Sequence, residues 1–225
     1  MPLNLDTILC VSFIILSMNM PVNHQTPKMK FLALGDSYTI GESVDETQRW
    51  PVLLTNHLKT KGIACETPTI IAKTGWRTDE LKEAVLEANL SSDYDLVSLL
   101  IGVNNQYQGK SAASYEPEFE ELLQLAIQLG GGQKAHVIVI SIPDYGYTPF
   151  GRHNQTPISK GIDAFNDVNK RIAEKYSIVY IDITDISQEG LSDPKLIATD
   201  GLHPSGKMYQ RWVDRIKNFI DIKGH

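Results

Sequence analysis

The sequence predicts an α/β fold, a three-layer α/β/α sandwich built around a parallel sheet. Two observations predict it. Five short apolar, strand-like runs recur between residues 30 and 183, and the stretches separating them are long enough and patterned to hold helices. Strict β-α alternation of this kind is the signature of a sheet covered on both faces.

The first run, "KFLALG" (30–35), leads through a polar turn to a helical stretch at 49–61. The second, "IACETPTIIA" (63–72), precedes a helix at 78–90 whose cap is read as Thr78. The third and fourth, "YDLVSLLIG" (94–102) and "AHVIVISI" (135–142), are continuously rather than alternately apolar, as strands buried on both faces should be. Between them lies a helix at 115–129, which the glycines at 130–132 stop. A helix at 158–175 leads to the fifth run, "YSIVYIDI" (176–183). The last helix, 205–222, carries Met208, Trp212, Ile216 and Phe219 at helical spacing, a stripe that reads as core.

The chain has 225 residues, a net charge of −6, 42% hydrophobic and 21% charged residues, which suits one globular domain with a full core. No basic run or stripe favours nucleic acid. The two cysteines, Cys10 and Cys65, cannot make a disulfide framework, and six scattered histidines show no metal-ligand spacing, so no cofactor or metal is expected. Residues 7–18, "TILCVSFIILSM", are apolar enough for a signal-peptide core but lack a basic flank. Two readings stay open: a signal or anchor spanning 1–28, or translation starting at Met29 as "MKFLALGDS". Membrane association is expected only if that segment is retained, and the domain is taken as 29–225.

In parallel α/β sheets ligands sit beyond the carboxyl ends of the strands, so chemically useful residues should gather there. They do. The first exit gives Gly35-Asp36-Ser37, the second "KTGWRT" with Gly75, and the third "IGVNNQ" with Asn104 and Asn105. The fourth opens a long aromatic loop, "PDYGYTPFGRHNQTP", and "TDGLHPSG" with Asp200 and His203 precedes the last helix. Acyl transfer needs a nucleophile, a base, a group that orients the base and donors for an oxyanion. Ser37 suits the first role, His203 the second and Asp200 the third. Backbone N–H groups of Ser37 and Gly75 and the Asn104 amide suit the fourth. Each has a plain alternative as a cap or turn residue, and Asp36 reads as turn support. The complementarity of the set is what favours catalysis.

These blocks resemble those of the SGNH (GDSL-type) hydrolases, a group of esterases and lipases. Ser37 stands in "GDSYT", Gly75 in "TGWRT", Asn104 in "GVNNQ", and Asp200 and His203 in "DGLHP". The resemblance covers essentially all of 29–225. It implies a flavodoxin-like five-stranded sheet of order 2-1-3-4-5, a Ser37–His203–Asp200 triad and an oxyanion hole of Ser37, Gly75 and Asn104. Two departures, Tyr38 where Leu is usual and Asn105 where Asp is common, touch no inferred catalytic atom.

Other classes fit less well. The G-x-S-x-G elbow of α/β-hydrolases is absent around Ser37. "GLHPSGKM" at 201–208 lacks the Ser/Thr that a phosphate-binding loop needs after its lysine. An FMN-type binder, or a non-catalytic carbohydrate- or lipid-binding module on the same scaffold, would leave Asp200 and His203 idle. The expected substrate is a small-molecule carboxylic ester with a small or medium acyl or aryl group, thioesters and acetylated sugars included. Trp76, Tyr145, Tyr147 and Phe150 are expected to wall the site.

Overall fold

The computed structural model describes residues 27–220; the apolar run at 7–18 lies outside the described residues. Five parallel strands make one sheet: β1 Phe31–Gly35, β2 Thr69–Ala72, β3 Leu96–Leu100, β4 Val137–Ile140 and β5 Val179–Ile181. Their order is β2-β1-β3-β4-β5. All residues of β1, β3 and β4 are buried, which accounts for their unbroken apolar character.

Among the described residues the α-helices are α1 Ser37–Ile40, α2 Trp50–Thr60, α3 Thr78–Glu87, α4 Val103–Tyr107, α5 Ala112–Leu129, α6 Gln155–Lys175, α7 Thr184–Ser187 and α8 Gly206–Ile220. Helices α2 and α8 pack together on one face of the sheet, and α3, α5 and α6 pack in succession on the other. Helix α8 buries Met208, Tyr209, Trp212, Val213 and Ile216. Each large apolar side chain removed from water contributes about 1.5–3 kcal/mol, so this stripe fastens the helix that follows His203.

Four expectations need correction. Of the run 63–72 only Thr69–Ala72 joins the ladder: Cys65 makes one isolated bridge to Met29, and Pro68 has no N–H to donate. Helix α5 starts at Ala112 rather than 115, because the Ser111 hydroxyl accepts from the Ser114 N–H at 3.1 Å and caps it. Thr78 is the first residue of α3 rather than its cap; the preceding Arg77 N–H donates to Glu80 at 3.0 Å. Phe219 is exposed and falls outside the buried stripe, while the next residue, Ile220, still packs against the core.

Candidate active site

The ladder decides where the exits fall. Gly35 pairs with Ala72 on one side and Leu100 on the other, so β1, β2 and β3 end level and the segments that follow emerge at one edge. The carbonyl end of β3 leaves through Gly102, with φ +126°, where a Cβ would lie 2.7 Å from the Tyr115 hydroxyl and 2.9 Å from Ile142. Glycine is required there by both conformation and space.

Ser37 opens α1. The Asp36 carboxylate accepts from the Tyr38 N–H at 3.0 Å and caps that helix, as its turn-supporting reading expects. As the first helical residue Ser37 has no intrahelical acceptor for its own N–H, which is left free to meet a ligand. His203 and Asp200 lie in the turn before α8. The imidazole Nδ1 is 2.6 Å from Asp200 Oδ2, and the N–H groups of Leu202 and His203 donate to Oδ1 at 2.9 and 3.0 Å. Burial pushes the Asp200 carboxyl up, but hydrogen bonds from Ser43, His203 and the two backbone N–H groups outweigh it and hold its pKa at about 2. A carboxylate fixed on Nδ1 leaves Nε2 as the reactive nitrogen.

One cavity of about 200 Å³ is lined by Ser37, Gly75, Asn104 and His203 together with Tyr38, Thr74, Val103, Tyr107, Tyr145, Phe150 and Leu202. Five segments far apart in sequence thus meet at one opening. The Ser37 hydroxyl makes no hydrogen bond to the imidazole here, a contact that in hydrolytic sites commonly tightens with substrate bound. Gly75 has φ +88° and a Cβ there would meet only open space, so the left-handed backbone rather than crowding calls for glycine. The Asn104 amide donates one N–H to the Trp76 carbonyl at 2.9 Å, tying the second and third loops together and leaving its other N–H. Beneath it, buried Asn105 accepts from the Thr78 N–H at 3.1 Å and donates to the Thr78 hydroxyl at 2.6 Å, while that hydroxyl donates to Glu118.

The aromatic wall differs from its expected membership. Tyr145 and Phe150 line the cavity, but Tyr147 and Trp76 do not; Trp76 packs against the hydrophobic core. Their place is taken by Tyr107, which forms a triangle with Tyr145 and Phe150, centroids 6.2–6.4 Å apart. The signal for Tyr107 was its position three residues after Asn104, which a helix brings to the same face. The Tyr145 hydroxyl donates to Gln106 at 2.9 Å and locks the two loops. A second correction concerns Tyr38. Its ring meets the His203 ring edge-on at 5.7 Å, so this departure does touch an inferred catalytic group and backs it with a buried aromatic.

The comparisons agree with the fold. The profile of the GDSL-like lipase/acylhydrolase family matches residues 33–211, and the chain belongs to that family. It is accordingly a carboxylic ester hydrolase. No curated protein matches the chain significantly. Among solved structures, the lipase/acylhydrolase from Enterococcus faecalis is 21% identical with a TM-score of 0.67, over 87% of this chain and 96% of that one. Axe2, an acetylxylan esterase from Geobacillus stearothermophilus, is 20% identical with a TM-score of 0.65, over 85% and 94% of the two chains. TesA is 19% identical with a TM-score of 0.68, over 86% and 99%. At such identities these likenesses establish the fold. Among the described residues no helix is long and apolar enough to cross a membrane.

Proposed function

We propose that the protein, through a hydrolase domain spanning 29–225, cleaves esters of small or medium acyl groups through an acyl-enzyme on Ser37. The reading is carried by one observation: Ser37, Gly75, Asn104 and the Asp200-anchored His203 line the same cavity. His203 Nε2 takes the hydroxyl proton as Ser37 Oγ attacks the carbonyl carbon. The carbonyl oxygen gains negative charge and accepts from the N–H groups of Ser37 and Gly75 and the second N–H of Asn104. Collapse breaks the bond to the alcohol, which leaves with the proton from His203; water repeats the sequence and releases the acid. Asp200, ionised down to about pH 2, holds the imidazole in the tautomer this requires.

The cavity's small volume and the apolar faces of Val103, Leu202, Tyr107, Tyr145 and Phe150 favour a short acyl or aryl group over a long lipid tail. Some structural neighbours are described as acetylxylan esterases, which makes acetylated sugars a class to include in the test. The purified protein and Ser37→Ala would be assayed on p-nitrophenyl acetate, butyrate and octanoate and on acetylated xylooligosaccharides, with fluorophosphonate labelling in parallel. The expected result is turnover and labelling of wild type, both lost in the variant. Turnover that survives in Ser37→Ala would overturn the reading.

A further inference from the structure

The loop after α1 turns back on itself through two left-handed residues, Gly41 at φ +73° and Ser43 at φ +64°. The second is unusual, because this conformation disfavours any residue with a Cβ and glycine would adopt it freely. What the serine supplies is its hydroxyl. Ser43 Oγ donates at 2.7 Å to Asp200 Oδ2, the same oxygen that meets His203 Nδ1 at 2.6 Å, across 157 residues of sequence.

The other donors to Asp200 are Leu202 N–H, His203 N–H and the imidazole itself, all from its own turn. They shape that turn but cannot fix it relative to the nucleophile. Among the described residues, the Ser43 hydroxyl makes the one hydrogen bond that joins the Asp200 turn to the loop carrying Ser37. The neighbouring Glu42 accepts from the Thr74 hydroxyl, beside Gly75, so the same short loop is tied to both the base and the oxyanion sides of the cavity.

We propose that Ser43 is a positioning residue for the hydrolytic reaction: it orients the Asp200 carboxylate and sets the register of His203 against Ser37. The inference rests on the triad reading above. It acts through Asp200, so its loss should slow chemistry and leave substrate binding unchanged.

The experiment compares Ser43→Ala and Ser43→Gly, each alone and combined with Asp200→Asn, measuring kcat, KM and Tm on p-nitrophenyl butyrate, with Ser37→Ala as the control. Both single variants remove the hydroxyl, but only glycine relieves the backbone, so their Tm values should diverge while their kinetics agree. Each is expected to lose about 3- to 10-fold in kcat, the net worth of one ordinary hydrogen bond, since three other donors still hold the Asp200 carboxylate, with KM unchanged. In the Asp200→Asn background the same substitutions should cost little more. A wild-type kcat in Ser43→Gly, a loss that follows Tm, or an equal loss with and without Asp200 would overturn the proposal. Activity persisting in Ser37→Ala would instead overturn the triad reading beneath it, and the two failures are distinct.

Discussion

Asp36 sits immediately before Ser37 with no solvent exposure, and its chemistry makes a quantitative stability prediction. One carboxylate oxygen accepts from the Tyr38 N–H; the other, Oδ2, has no protein partner. Burial outweighs the backbone hydrogen bonds and raises the carboxyl from 3.8 to about 7. Between those values the folded protein holds a proton that the unfolded chain has released. Stability from this group is therefore fully present below about pH 4 and is lost as pH rises through 7. A shift of this size corresponds to on the order of 4 kcal/mol across the window, at about 1.36 kcal/mol per pKa unit. Asp36→Asn keeps an acceptor for Tyr38 and cannot titrate. Urea unfolding at pH 4.5, 6, 7.5 and 8.5, analysed by linear extrapolation, should show wild type losing stability relative to the variant as pH rises. Asp200 does not interfere: its lowered carboxyl stabilises fully above 3.8 and loses that contribution only as pH falls through about 2. Parallel pH profiles for the two proteins would refute the buried, proton-holding carboxyl.

Two further predictions concern the cavity. Asn104→Ala should lower kcat by roughly 10²–10³ with a modest change in KM, because the amide would act on the developing oxyanion; steady-state kinetics on p-nitrophenyl acetate check it, and a loss confined to KM would place its role in binding. Tyr107→Ala and Phe150→Ala truncate exposed aromatics of the cavity wall. They should raise KM for butyrate and aryl esters several-fold more than for acetate, since only larger groups reach enough of the wall to bury apolar area. An equal effect across the ester series would show that the wall does not read the substrate.

The fold was legible because burial on both faces and helical spacing leave marks in composition. "FLALG" and "VIVI" are continuously apolar, and Met208, Trp212 and Ile216 recur on one side of α8. Element ends were less so: Pro68 and Ser111 shifted them through a missing donor and a side-chain cap, local effects that periodicity does not register. The same holds for the wall, where Tyr107 lines the cavity and the expected Trp76 packs against the core. An aromatic near a glycine in sequence can turn toward the core, while one three residues along a short helix faces the cavity.

The sequence by itself determined the strand order of chemistry: Ser37, Gly75, Asn104 and His203 each follow a strand or precede a helix, and Asp200 stands one turn before His203. Those are short-range facts, encoded by neighbours in the chain. Only the tertiary structure decided that Tyr38 backs the imidazole, that Asn104 spends one N–H on Trp76 and that Ser43 reaches Asp200. The Asn104–Trp76 contact joins segments brought together by the level ends of β1, β2 and β3, whereas the Tyr38 and Ser43 contacts depend on where the buried stripe of α8 seats the turn before it, and no local pattern specifies either.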